Sequence, residues 1–275
     1  MSVPPRETAL VPDSFIALAH EMADAARGVV MAHFRTAALT VDDKEDLSPV
    51  TIADRECERA LRALIVRDHP DHGIVGEELG SERTDAEWVW VIDPIDGTKA
   101  FVTGKPLFGT LIALLHRAFD ARGDSPARPV LGIIDHPALD VRYLGIDGRP
   151  STRNGRDIRV RACPALDRAW LYATTPEMFR PGPEADAFAR LAKKVKHPVW
   201  GAECMAYGLL AEGFVDLVVE ATMKTVDYLP LVAVVQGAGG VITDWQGRLL
   251  TLDSPGQVIA AGDPARHRDA LAVLR

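Results

Sequence analysis

The chain has 275 residues, of which 47% are hydrophobic and 25% charged, and its formal net charge at pH 7 is −8. A chain of this length buries a sizeable core, as one large domain or two fused ones. The acidic balance argues against a nucleic-acid partner, because binding a phosphate backbone requires clustered lysine and arginine.

The N-terminal segment and the cysteines indicate a cytoplasmic protein. The first residues lack the apolar stretch of a secretory signal, and no apolar run reaches the length of a membrane span. Cys57, Cys163 and Cys204 have no metal-binding spacing and fit reduced thiols. We therefore expect a cytoplasmic location without membrane association.

Apolar periodicity predicts helices and strands that alternate along the chain. In the first half, helices are expected over 13–35 and from about 54 to 68, with a polar, mobile loop over 41–50 between them. Bulky apolar runs predict strands at 88–92, 108–115, 130–135 and 141–146.

The second half mixes both types of element again. Strands are expected at 169–174, 215–220, 241–243 and 258–261, and helices at 184–195, 204–212, 228–236 and from 264 onward. The polar stretch at 151–157 predicts a boundary between halves 1–150 and 151–275. Helices layered on sheets are the expected architecture.

The hexapeptide over residues 93–98, DPIDGT, follows the apolar strand pattern directly. Asp93 and Asp96 at the end of a buried strand are costly unless a cation neutralises them. Gly97 permits a sharp turn, and the amides of Gly97, Thr98 and Lys99 could open a short helix that faces an anion. The alternative is a polar turn with Asp96 as an N-cap. The pattern predicts a divalent metal held by oxygen ligands, with a phosphate bound across it.

Other acidic residues occupy suitable positions. Glu77 and Glu78 follow a short apolar run, and Asp54 and Asp227 stand at the starts of predicted helices. Asp54 and Asp227 could instead be simple N-caps, and one of the two glutamates could be merely solvated.

Together these motifs resemble the inositol monophosphatase family of Mg-dependent, lithium-sensitive phosphatases. The resemblance covers about residues 46–263 and is carried by Gly76-Glu77-Glu78, the hexapeptide 93–98, and Asp227 followed by Gly237-Ala238-Gly239-Gly240. This chain has Val226 where the family usually has tryptophan. The resemblance implies an α+β fold, a layered α-β-α-β-α sandwich, and a homodimer.

The resemblance also implies roles for individual residues. Two or three Mg²⁺ ions per site are expected, with Mn²⁺ possible and Li⁺ as an inhibitor. Their ligands would be Glu77, Asp93, Asp96, Asp227 and the Ile95 carbonyl. Two such ions can activate a water and stabilise the leaving oxygen.

The remaining roles concern the water and the phosphate. Asp54 and Thr98 would position or help deprotonate the attacking water, and Glu77 joins them as a catalytic residue. The amides of Gly97 and Thr98 would hold phosphate oxygens. Lys44 and Asp46 would reach the site if the 41–50 loop closes; the alternative is a solvated charge run.

The predicted substrate depends on the second half, which resembles the histidinol-phosphatase branch more closely than the inositol branch. The segments that carry this resemblance are 105–114, 132–135, 200–211 and 215–220. Glu203 and Glu220 could pair with the ammonium and imidazole of histidinol phosphate. An inositol pocket could also use Glu220, and Glu203 could be a solvated residue before a helix.

The sequence thus predicts an Mg-dependent phosphate monoester hydrolase with a small phosphorylated metabolite as its partner, foremost a histidinol-phosphate phosphatase of histidine biosynthesis. An inositol 1-phosphate or broader sugar-phosphate phosphatase is the alternative. A bisphosphate nucleotidase and a non-enzymatic interaction protein are more remote. The two residues between Asp93 and Asp96 disfavour the haloacid dehalogenase route, whose phospho-aspartate motif has one.

Overall fold

The computed structural model describes residues 11–36, 41–43, 49–117 and 126–275. The helices are α1 (Asp13–His33), α2 (Ile52–Asp68), α3 (Thr98–Val102), α4 (Pro183–Ala192), α5 (Met205–Ala211), α6 (Thr225–Gly237) and α7 (Pro264–Leu274). Short 3₁₀ turns occur at Pro137–Leu139, Leu166–Arg168 and Pro176–Met178. Across the described ranges, every helix is too short or too polar to cross a bilayer.

The strands form three sheets. They are β1 (Val41–Asp43), β2 (Pro49–Thr51), β3 (Gly73–Gly76), β4 (Ser81–Glu82), β5 (Trp88–Asp96), β6 (Gly109–His116), β7 (Arg128–His136), β8 (Val141–Ile146), β9 (Thr152–Arg153), β10 (Arg156–Asp157), β11 (Trp170–Ala173), β12 (His197–Trp200), β13 (Leu217–Glu220), β14 (Val241–Asp244) and β15 (Val258–Ala261). The large sheet has the order β10-β9-β8-β7-β6-β5-β3-β4 and the small sheet β12-β11-β13-β15-β14, while β1 pairs with β2.

The two larger sheets and the helices form five layers. Helices α1 and α2 cover one face of the large sheet, α5 and α6 lie between the sheets, and α4 and α7 pack together beside the small sheet. Strand β5 is buried on both faces: Val89 and Val91 face the layer of α6, whereas Trp90 and Ile92 face α1 and α2. This period of two is the strand pattern that the sequence predicted. The predicted layered α-β-α-β-α sandwich is confirmed.

Helix α6 lies directly on the large sheet because glycines face it. A Cβ on Gly132 would overlap the carbonyl of Pro230, and one on Gly145 would overlap the backbone of Ala233. The helix is apolar and buried on nearly all sides, as expected for a central layer. This close packing fixes the position at which the first turn of α6, with Asp227, lies against β5.

The polar segment 41–50, predicted to be a mobile loop, has strands at its described ends. Its ends are strands that pair antiparallel, with Val41 opposite Thr51, while residues 44–48 lie outside the described residues. The division into 1–150 and 151–275 stays a prediction. Strands β9 and β10 continue the large sheet beyond residue 150.

Candidate active site

A bulge at the end of β5 directs two carboxylates to the same side of the sheet. Two residues of β5 lie between Asp93 and Asp96, whereas only one residue of β6 lies between their partners Leu111 and Gly109. Residues three apart on a regular strand face opposite sides, and the extra residue makes the effective spacing even. The hydroxyl of Thr110 fixes the bulge by donating a 2.8 Å hydrogen bond to the carbonyl of Pro94.

Asp227 completes a cluster of three carboxylates with these two. One oxygen from each of Asp93, Asp96 and Asp227 lies within 4.8 Å of the others. The Asp93 carboxylate accepts a 3.0 Å hydrogen bond from the amide of Ile95, and that of Asp227 a 2.7 Å bond from the amide of Lys224. Backbone contacts therefore hold at least two of the acids in place.

The turn after the bulge contains the predicted phosphate-binding residues. Gly97 has a left-handed φ of 78° and is the N-cap of α3. The hydroxyl of Thr98 donates a 3.1 Å hydrogen bond to the carbonyl of Ile95. Since Gly97 occupies the cap position, the alternative of Asp96 as an N-cap is wrong.

Glu77 lies beside the cluster, directly after β3. Its side chain is 12% exposed, and one of its oxygens is 3.2 Å from the ammonium of Lys224. Burial raises the pKa of Asp93, and the charge of Glu77 and a hydrogen bond between the two side chains raise it further, so the two carboxylates are neighbours. The sequence segments that carry Glu77, Asp93 and Asp227 thus meet at one place.

Asp54 is buried at the start of α2 and keeps one oxygen without a protein partner. Its Oδ2 accepts 2.7 Å hydrogen bonds from both the amide and the hydroxyl of Thr51. Its Oδ1 has no hydrogen-bond partner within the described part of the chain. Thr51 is the N-cap, and Asp54 and Asp227 each occupy the third helical position, so the simple N-cap alternatives are wrong.

The carboxyl groups in and beside the cluster have raised pKa values. Burial, reinforced by neighbouring carboxylates, raises the pKa of Asp93 and of Asp227 well above the usual range. Burial raises the pKa of Asp96 and that of Asp54 to about 6. Because these carboxylates lie close together, ionising all of them without a cation is unfavourable. Their converging oxygens are therefore suited to bind a hard divalent cation. The residues present therefore fit the metal that the motifs predict.

Glu203 lies against the turn at Gly97. A Cβ on Gly97 would come within 2.8 Å of the Glu203 Cγ. The Glu203 side chain is only 11% exposed, and its carboxylate is 3.1 Å from the ammonium of Lys105. Lys105 also donates to the carbonyl of Gly201. The alternative of a solvated Glu203 is therefore wrong, and the pairing with Lys105 was not anticipated from the sequence.

Glu220 is an internal carboxyl group on β13. It is 3% exposed, accepts hydrogen bonds from the amide and hydroxyl of Thr174 at 3.0 and 2.6 Å, and accepts a 2.9 Å bond from the hydroxyl of Tyr207. Burial raises its pKa to about 7. Both of its oxygens bind protein groups, and its contact with substrate stays a prediction.

One buried acid near the site was missed. Glu58 lies one helical turn after Asp54 and is fully buried. The spacing of four residues was the available signal, because it places both side chains on one face of α2. The predicted loop contributors Lys44 and Asp46 lie outside the described residues.

Comparison with known proteins places these features in a family. A model of the inositol monophosphatase family matches residues 11–275. The chain is 45% identical over 271 residues to the bifunctional phosphatase IMPL2, chloroplastic, of Arabidopsis thaliana, across 95% of this chain and 75% of that protein. It is 32% identical over 268 residues to a histidinol-phosphatase of Chlorobaculum parvum, across 96% and 97%. A solved inositol monophosphatase from Zymomonas mobilis is 43% identical with a TM-score of 0.85, covering 97% of this chain and 99% of that one. The second of these names specifies a histidinol phosphatase and the third an inositol monophosphatase, whereas the first specifies no single phosphate ester.

Proposed function

The chain belongs to the inositol monophosphatase family of phosphatases, and on this premise we propose that it hydrolyses L-histidinol phosphate to L-histidinol and phosphate. The observation that carries the proposal is the position of Glu203 beside the turn at Gly97. A carboxylate there can pair with the ammonium or imidazole of a substrate whose phosphate lies on that turn. Relatives named histidinol-phosphatase, at 32% and 35% identity, support this choice.

The acidic cluster is assigned to metal binding. We propose that two or three Mg²⁺ ions are held by Glu77, Asp93, Asp96, Asp227 and the carbonyl of Ile95. When bound, such ions polarise phosphoryl oxygens and lower the pKa of water. The converging oxygens and the raised pKa values of Asp93 and Asp227 support the assignment.

Asp54 and Thr98 are assigned to the attacking water. The amide and the hydroxyl of Thr51 both donate to the Oδ2 of Asp54, which leaves the buried Oδ1 to accept a proton from water. A carboxylate with a pKa near 6 is a competent base close to neutral pH. The Thr98 hydroxyl donates to Ile95, so its lone pairs are available to accept a hydrogen bond and orient the water.

The amides of Gly97 and Thr98 are assigned to the phosphate. The left-handed turn at Gly97 lets two successive amides point in one direction, toward an anion. Attack by the water oxygen forms a new bond to phosphorus while the ester oxygen leaves and is protonated to the alcohol. Glu203 would hold the amino-alcohol end during this exchange.

Inositol 1-phosphate, or a broader set of sugar phosphates, is the second candidate. The similarity to the Zymomonas mobilis protein favours it, and Glu220 would then accept a hydrogen bond from a substrate hydroxyl. The family resemblance also implies a homodimer, which stays a prediction.

The test compares phosphate release from histidinol phosphate and inositol 1-phosphate in Mg²⁺ buffer, as kcat/KM. We expect a preference for histidinol phosphate of about a hundredfold, or about 2.7 kcal/mol of transition-state binding. Asp93→Asn, purified in parallel, controls for contaminating phosphatases. Glu203→Gln should lower kcat/KM for histidinol phosphate about tenfold and leave inositol 1-phosphate nearly unchanged. Equal or reversed preference in the parent protein would discard the substrate assignment.

A further inference from the structure

Glu58 is bonded to the chain segment that carries Glu77. Its Oε2 accepts a 2.7 Å hydrogen bond from the amide of Glu78, and its Oε1 accepts a 3.1 Å bond from the amide of Leu79. The Nε of Arg62 donates to the same Oε1 at 2.8 Å. Both carboxylate oxygens of Glu58 are therefore used, and two of the three donors are backbone amides directly after Glu77.

The segment packs tightly around this carboxylate. A Cβ on Gly76 would overlap the Glu58 carboxylate, so a larger residue there would displace that carboxylate. Arg62 extends the anchoring, because its guanidinium also donates to the carbonyl of Gly80. The backbone of residues 78–80, directly after Glu77, is thus bonded to Glu58 and Arg62, and Gly76, directly before it, lies against the Glu58 carboxylate.

We propose that Glu58 is a positioning residue for metal binding, which holds the Glu77 carboxylate toward Asp93 through the amides of Glu78 and Leu79. This inference rests on the proposed function, in which Glu77 is a metal ligand. Partners behind a ligand fix its direction before the ion binds, and losing such a partner typically weakens metal binding about 10- to 100-fold.

The same helix then positions two parts of the site. Asp54 lies on the first turn of α2, and Glu58 lies one turn further along the same face. The separation between the Asp54 carboxylate and the segment that carries Glu77 is therefore set by a rigid helix rather than by the connection between β3 and β4.

The test uses Glu58→Gln, which keeps the side-chain volume but replaces one acceptor oxygen by a donor group. The matched control is Glu82→Gln, which also removes a carboxylate paired with Arg62 but one without a bond to the Glu77 segment. We measure the Mn²⁺ dissociation constant by calorimetry, the Mg²⁺ concentration for half-maximal activity, and the melting temperature in EDTA.

We expect Glu58→Gln to weaken Mn²⁺ binding about tenfold or more. The Mg²⁺ requirement should rise by a similar factor, and kcat at saturating Mg²⁺ should change much less. Glu82→Gln should match the parent protein. A lower melting temperature with an unchanged Mn²⁺ dissociation constant would mean a structural role only and would overturn the proposal.

A second variant covers the case in which Glu58→Gln does not fold. Arg62→Gln removes the donor beside the two amides but keeps the carboxylate, and it should weaken Mn²⁺ binding a few-fold. Unchanged Mn²⁺ binding in a folded Arg62→Gln would then overturn the inference. Failure of the parent protein to bind Mn²⁺ or to release phosphate would instead overturn the proposed function.

Discussion

The backbone amide of Cys204 donates a 2.9 Å hydrogen bond to the carboxylate of Asp96. Cys204 follows Glu203 in the chain, so one peptide unit links the proposed substrate-binding carboxylate to a proposed metal ligand. Lys105 also fixes the position of this segment, because it pairs with Glu203 and donates to the carbonyl of Gly201. In the proposed function, substrate selection and metal binding therefore depend on adjoining backbone groups.

Asp93→Asn should abolish turnover while leaving the fold intact. The substitution keeps the side-chain shape and removes one charge from a crowded acidic cluster, so the melting temperature in EDTA should stay equal or rise. We expect kcat to fall at least about a hundredfold, because losing a ligand costs more than losing a partner behind one. Asp85→Asn, at an exposed aspartate, is the control. Retained Mg²⁺-dependent activity in Asp93→Asn would contradict the metal assignment.

The metal-free protein should lose stability as the pH rises. Burial raises the folded-state pKa of Asp54 and Asp96 to about 6 and that of Glu220 to about 7, so the folded state binds more protons than the unfolded state. This stability is full below the ordinary carboxyl range and is lost as the pH passes through about 6 to 7.

Each unit of raised pKa corresponds to about 1.4 kcal/mol, so the summed effect is several kcal/mol. Melting temperatures in EDTA should fall from about pH 5 to about pH 8. Mg²⁺ should flatten the slope, because it binds the ionised carboxylates. A melting temperature in EDTA that rises with pH would show that the pKa values of these acids are not raised in the folded protein.

Lys105→Met should improve the use of a cationic substrate. The Lys105 ammonium competes with the substrate for the Glu203 carboxylate, so removing it should raise kcat/KM for histidinol phosphate a few-fold, on the order of 1 kcal/mol. The rate for inositol 1-phosphate should not change. The double variant with Glu203→Gln should cancel the gain. Equal changes for both substrates would argue against Glu203 as the group that binds the cation.

Gly145→Ala should destabilise the protein by about 1–3 kcal/mol, because its methyl group would overlap the backbone of α6 at Ala233. Urea unfolding measures the loss. The matched control is Gly28→Ala within α1, where nothing lies within 4 Å of the new methyl group. That change should leave the stability equal or raise it by up to about 1 kcal/mol. Equal behaviour of the two variants would contradict the close packing of α6.

Most elements with a clear apolar period were predictable from the sequence, and the differences have physical causes. Strand β5 was expected to end at residue 92, yet it continues through Asp96 because a bulge accommodates Pro94. Helix α6 begins at Thr225 rather than at Tyr228. Aspartate is favoured both at the N-cap and in the first turn, so Asp227 alone could not place the helix start. The short strand β12 has mostly exposed residues and no apolar alternation to predict it.

The grouping of Asp93, Asp96 and Asp227 was also predictable, because the motifs resemble those of a known family. The parts that were missed depend on distant contacts. The proposed role of Glu58 depends on backbone amides some 20 residues away, and that of Lys105 depends on a carboxylate 98 residues away. Neither partner can be identified from local spacing.

The one-residue excess of β5 over β6 makes the proposed chemistry depend on strand length as well as on residue identity. A single residue inserted beside Thr110 would restore the regular ladder and turn Asp93 and Asp96 to opposite faces, with every acid still present. A relative could therefore keep all its acidic residues and still lose its activity through an insertion in the neighbouring strand. Counting residues in both strands is as informative about a working site as finding the acids.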